Sequence, residues 1–162
     1  MEYRKATKSD LEIIWNKNIN SHPEDERWKR WKEEYIAYNE KGQAVTFVAV
    51  DDEPVGEITI LLSQECKPVL KKAKLCDGKT IANMNAFRIE KKYEGQGHIS
   101  KLVKMAEEFA RSIGIKELSI GVEENEKRNR AIYEHFGFTE FMFSEVDHDE
   151  GDAIVLYYKK TI

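Results

Sequence analysis

Apolar positions along the chain change their period several times, and each change marks an element. Residues 2–7, EYRKAT, alternate and predict a short first strand. Ser9 or Asp10 then offers a helix cap, and Leu11, Ile14 and Trp15 fall on one face of a helix running to about Asn18. A break at residues 21–25 holds Pro23. The helix expected after it, over about residues 24–40, sets Trp28, Trp31, Tyr35 and Tyr38 three and four positions apart, a stripe read mainly as core packing. Gly42 ends that helix. Two dense β-branched runs, AVTFVAV at 44–50 and VGEITILL at 55–62, are joined by DDEP into a hairpin. The polar stretch 63–79, with Pro68 and Gly78, reads as a loop with one helical turn and is longer than most connections. A strand over 81–89, a helix stopping at Gly114, a strand at 117–122, a helix ending near Gly137 and a closing hairpin around HDEGD complete the pattern. No repeat, linker or low-complexity tract interrupts it, so residues 1–162 are expected to form one mixed α/β domain.

Composition narrows the functional classes. The net charge of −4 provides no basic face for nucleic acid and is compatible with a cationic substrate such as an amine. Cys66 and Cys76 are too few and too far apart for a disulfide framework or a CxxC metal site, so two reduced thiols and no metal are expected. No apolar run approaches the roughly 18 residues of a membrane span, and MEYRKATKSD lacks a signal-peptide core. A cytoplasmic location without a membrane partner follows as the expectation.

The chemistry concentrates at FRIEKKYEGQGHISKLVKMAEEFA, residues 87–110. A strand end leads through a turn holding Gly95 and Gly97 into a helix whose Ile99, Leu102, Val103, Ala106 and Phe109 share one face. Glycines at such a turn let several N–H groups converge, and the helix adds unpaired amides and the positive end of its dipole; together these suit a phosphate group. Then follow ELSIGV at 117–122 and NRAIYEHFGF at 129–138. In that order the strand, YEGQG, the helix, the strand and N-x-A-x-Y-x-x-x-G-F resemble the GCN5-related N-acetyltransferase (GNAT) family over residues 80–141, with the flanks agreeing in element order. The family's turn usually reads Gln/Arg-x-x-Gly-x-Gly/Ala; here those positions hold Glu94, Gly97 and Ile99.

The resemblance implies a central mixed, mostly antiparallel sheet flanked by helices, with two splayed parallel strands. Acetyl-CoA (coenzyme A) would be the acyl donor, and a small-molecule or peptidic amine the acceptor, walled by the first two helices and the late hairpin. The phosphates fall to the turn at Glu94, Gly95, Gln96, Gly97, His98, Ile99 and Ser100. Phe87 and Ile89 supply backbone contacts to the pantetheine arm, Asn129 a side-chain contact or else a helix cap, and Tyr133 the proton for the departing thiolate. Some relatives carry a basic glutamate where this chain has Asn85. Glu57 and Glu123 are therefore the candidate bases, directly or through water, and the choice stays open. A non-catalytic acyl-CoA-binding module on the same fold competes with the enzyme, kept in view by Glu94, Ile99 and Asn85. Exposed edges of the last hairpin would suit a homodimer.

Overall fold

The computed structural model describes residues 1–162, the side chain of Asp149 excepted. Seven strands form one sheet in the order β1-β2-β3-β4-β5-β7-β6: β1 (Glu2–Lys5), β2 (Ala44–Asp51), β3 (Glu53–Leu61), β4 (Ile81–Ile89), β5 (Glu117–Glu123), β6 (Glu140–Asp147) and β7 (Ala153–Thr161). Every neighbouring pair is antiparallel except β4 and β5. Helices α1 (Lys8–Ser21) and α2 (Arg27–Glu40) cover one face, and α3 (His98–Ser112) and α4 (Lys127–His135) the other.

The amphipathic reading of α3 holds: Leu102, Val103 and Ala106 are buried, as is Ala110, and they meet Phe47, Ile58, Ile60, Met84 and Leu118 of the sheet. On the opposite face a second cluster joins Leu11, Ile14 and Trp15 of α1 to Tyr35 and Tyr38 of α2. The aromatic stripe of α2 divides, because Trp28 and Trp31 are only half-buried and open onto a cleft. The stretch at 63–79 has one 3-10 turn, Lys67–Val69, yet it is not a surface loop. Cys66, Val69, Leu75 and Cys76 are all buried in this second cluster, where apolar side chains too irregularly spaced to show a period still find a common surface.

Two helix starts differ from expectation. Thr7, not Ser9 or Asp10, caps α1; its hydroxyl accepts from the Asp10 amide while the Asp10 carboxylate accepts from the Thr7 amide, a capping box that the T-x-x-D spacing permits. The second helix begins at Arg27 rather than near residue 24, since Asp25 bonds both the Arg27 amide and its guanidinium ahead of the first turn.

Two irregularities shape the centre of the sheet. Strands β4 and β5 pair only at Ile81–Glu117, Ala82–Leu118 and Asn83–Ser119, then separate, although β4 continues to Ile89 and β5 to Glu123. Asn83 Nδ2 donates to Ser119 Oγ at 2.9 Å where the pairing stops. The second irregularity lies between β3 and β4. Glu57 faces Arg88 and Thr59 faces Asn85, so Ile58 stands opposite two residues, a bulge in which Ala86 takes φ 47°. Asn85 steadies it by accepting from the Ala86 amide at 2.8 Å and the Tyr35 hydroxyl at 2.9 Å.

Candidate active site

The wedge between β4 and β5 opens into a cleft of about 1020 Å³. Glu90 N–H donates to Val55 C=O, which fixes the alternation along β4: Arg88 and Glu90 turn their main-chain groups toward β3, while Phe87 and Ile89 turn theirs into the wedge. No strand lies beside that edge beyond Asn83 among the described residues.

At the mouth of the wedge the chain passes through a 3-10 turn, Lys91–Tyr93, and into α3. Gly95 (φ 72°) and Gly97 (φ 84°) are both left-handed, the conformation in which glycine avoids the strain a side chain would meet. A Cβ added at either would meet nothing within 4 Å, so open space lies in front of both. Gly97 is the N-cap of α3 and, having no side chain, leaves the first-turn amides uncapped. His98 at the first helical position is held from both sides, Nδ1 against the Tyr3 hydroxyl at 2.6 Å and Nε2 against Gln96 Oε1 at 3.2 Å. Gln96 also donates to the Lys92 carbonyl, which braces the turn from behind, and it does not line the cleft. Glu94 ion-pairs with Arg128 of α4 at 2.7 Å, so its charge is met within the protein.

Helix α4 brings Tyr133 onto Phe87, ring edge to ring face with centroids 5.3 Å apart. Burial, reinforced by Glu126 and opposed by Arg88, pushes its phenol up to about 12. Among the described residues its hydroxyl has no hydrogen-bond partner, so it is not tied to a backbone carbonyl. Asn129 lies in the first turn of α4 instead of at the cap, and donates to Glu126 Oε2 at 2.9 Å. Apart from Gln96, the cleft gathers every expected cofactor residue together with Tyr133 and Glu57.

Glu57 is 1% exposed. Burial raises its carboxyl above the ordinary range, against the lowering influence of Arg88 and Asn18. Glu123 lies elsewhere, in a second cleft of about 770 Å³ bounded by Trp28, Trp31, Tyr35 and Tyr157. Burial also raises Glu123, with Glu126, Glu150 and Asp147 adding to the effect. Asn85 lines this second cleft at the bulge. Among the described residues Arg88 alone lines both clefts, and it was not singled out from sequence. The available signal was one cation inside the otherwise uncharged run IANMNAFRI.

Wedge, bulge and glycine turn together define an acyl-transferase architecture, and comparison agrees. The chain belongs to the acetyltransferase (GNAT) family, whose model matches residues 8–138. Solved structures with the same fold include a ribosomal-protein-alanine N-acetyltransferase from Brucella melitensis (15% identity, 100% of both chains covered, TM-score 0.72). A spermidine N-acetyltransferase chimera from Vibrio cholerae and hSSAT aligns at 17% identity over 99% of this chain and 96% of that one, with TM-score 0.71. An aminoglycoside 6'-N-acetyltransferase complexed with coenzyme A aligns at 15% identity over 99% and 97%, with TM-score 0.70. A search of curated proteins found no match. No helix among the described residues is long and apolar enough to cross a membrane, and none of their His, Cys, Asp and Glu side chains group to hold a metal ion.

Proposed function

We propose that this chain is an N-acetyltransferase that moves the acetyl group of acetyl-CoA to a primary amine, with residues 1–162 acting as one catalytic domain in the cytoplasm. The observation that carries the reading is the open space before Gly95 and Gly97 at the mouth of an unfilled strand gap, which fits a diphosphate joined to an extended arm. Amides of residues 95–100 hold the phosphates. The outward main-chain groups of Phe87 and Ile89 pair with the arm as a neighbouring strand would, and orient the thioester along β4. Asn129 is placed to contact the same arm.

Tyr133 supplies the proton to the departing thiolate. Its phenol stays protonated throughout the neutral range, and burial raises a thiol in the same surroundings as it raises the phenol, which keeps donor and acceptor matched. Glu57 is the base. An alkylamine of pKa about 10.4 arrives as an ammonium, and the carboxylate takes one proton from it through a water. The carboxylates Glu123, Glu126 and Glu150 and the indoles of Trp28 and Trp31 make the second cleft suitable for a cationic acceptor. Acceptors of the structural relatives, a ribosomal protein's alanine, spermidine and an aminoglycoside, define the panel to try first.

The test combines a thermal shift with acetyl-CoA and free-thiol release across that panel. Stabilisation by millimolar acetyl-CoA and amine-dependent thiol release are expected. Absence of any shift defeats the proposed site, and a shift without thiol release for any amine defeats the proposed catalysis.

A further inference from the structure

Arg88 stands directly opposite Glu57 across β3 and β4, so both side chains project from the α1/α2 face of the sheet. Its guanidinium carbon lies 4.7 Å from the Trp15 ring centroid and 5.2 Å from that of Trp28. Arg88 Nε donates to Glu57 Oε2 at 3.3 Å, and a terminal nitrogen sits 3.3 Å from the same oxygen as an ion pair, at an angle unsuited to a hydrogen bond. Asn18 Nδ2 donates to Oε2 as well, at 3.3 Å. All three contacts therefore fall on one carboxylate oxygen. Oε1 is enclosed and has no partner among the described residues.

We infer that Arg88 is the positioning residue of the acetyl transfer: it pins Glu57 by Oε2 and leaves Oε1 to receive the acceptor's proton. This rests on the reading of Glu57 as the base. Burial raises the Glu57 carboxyl and the guanidinium opposes that rise, so loss of the cation would raise it further and shift the pH at which it can accept a proton upward. The other groups facing Glu57 do not replace Arg88. Asn18 and Trp15 of α1 are neutral, Tyr35 of α2 is a phenol that burial holds protonated, and β2 presents Val48. Lys17 of α1 is engaged by Glu53 and Glu90. The two indoles explain why the cation is arginine, since a planar guanidinium stacks on them while its edge meets the carboxylate.

The protons balance. An N–H bond of the ammonium breaks and, through water, an O–H bond forms on Glu57. The amine lone pair then forms the C–N bond as the C–S bond breaks, the thiolate takes the Tyr133 proton, and the second amine proton returns to Tyr133. Glu57 releases its proton to solvent after the products leave.

The experiment measures kcat against pH at saturating acetyl-CoA and amine for the wild type, R88Q, R88K and E57Q, with melting temperature and acetyl-CoA affinity alongside. In R88Q the acid limb should move up by about one pH unit or more, lowering kcat at neutral pH about tenfold and recovering in alkali. R88K, which keeps the charge but not the stacked plane, should fall between, and E57Q should lose the limb. An unmoved limb in R88Q, with the limb gone in E57Q, overturns the role of Arg88 and leaves Glu57 as base. A wild-type limb and rate in E57Q removes the base and the inference together. Should R88Q fail to fold, R88K decides: an upward shift supports the inference and an unmoved limb overturns it.

Discussion

Replacing Tyr133 by Phe separates chemistry from packing with little interference between them. The ring contributes through its edge-to-face contact with Phe87, and that contact survives the substitution. Its hydroxyl has no partner to lose among the described residues, so stability should stay within about 0.5 kcal/mol of the wild type in urea unfolding. The catalytic loss has a different scale. Removal of a general acid costs about 10²- to 10⁴-fold, which is about 3–5 kcal/mol of barrier at 1.36 kcal/mol per decade. In the proposed site the diphosphate and the arm would be held by amides and not by this hydroxyl, so acetyl-CoA affinity measured by titration calorimetry should change less than about twofold. Thiol release under saturating substrates gives kcat. A kcat within about threefold of the wild type would refute the role of Tyr133, as would a fall in kcat matched by an equal loss of affinity.

Other outcomes follow from the same geometry. Gly97→Ala forces a side chain into φ 84°, costing about 1–2 kcal/mol of stability, and sets a methyl group in the open space before the turn, so acetyl-CoA should bind at least about tenfold more weakly by calorimetry. Arg128→Ala leaves the Glu94 charge uncompensated beside the proposed phosphate site, and affinity should fall about three- to tenfold at low salt, with the E94Q/R128A double variant recovering it. Acid should weaken the fold. Burial alone would raise Asp10 and Asp77, but Arg4 and Thr7 hold the first, and the amides of Ile81, Lys79 and Thr80 the second, below the ordinary carboxylate range. A folded pKa depressed below the unfolded one contributes stability that is complete above about pH 4 to 5 and is lost as pH falls through the folded value, so urea midpoints should drop between pH 5 and pH 2, as in the usual acid unfolding by linkage of about this range.

Much of the scaffold is legible in the chain because periodicity states it directly. Strand β4 occupies the expected residues 81–89, and α3 follows from the spacing of Ile99, Leu102, Val103 and Ala106. The glycine turn is legible for a different reason, since Gly95 and Gly97 are needed where φ is positive. Features made by distant partners were not legible. Nothing in the sequence ties Glu94 to Arg128, and the burial of Cys66 and Leu75 needed the second helical layer to be in place. Arg88 escaped notice because its placement depends on the bulge. With regular pairing, Thr59 opposite Asn85 would put Glu57 opposite Phe87; the extra residue brings Arg88 there instead.

The three-residue seam between β4 and β5 also sets how much of the sheet stays unpaired. Strands β1–β4 lie on one side of it and β5, β7 and β6 on the other, joined along the sheet by three residue pairs and the Asn83–Ser119 bond, and beneath it by a shared core in which Leu118 and Ile120 pack with Met84 and Phe47. On the proposed function, a carrier in the gap would bridge the two halves where their main chains part. Lengthening the seam would spend the outward groups of Phe87 and Ile89 on β5 and shut the carrier out, while the fold itself gained hydrogen bonds.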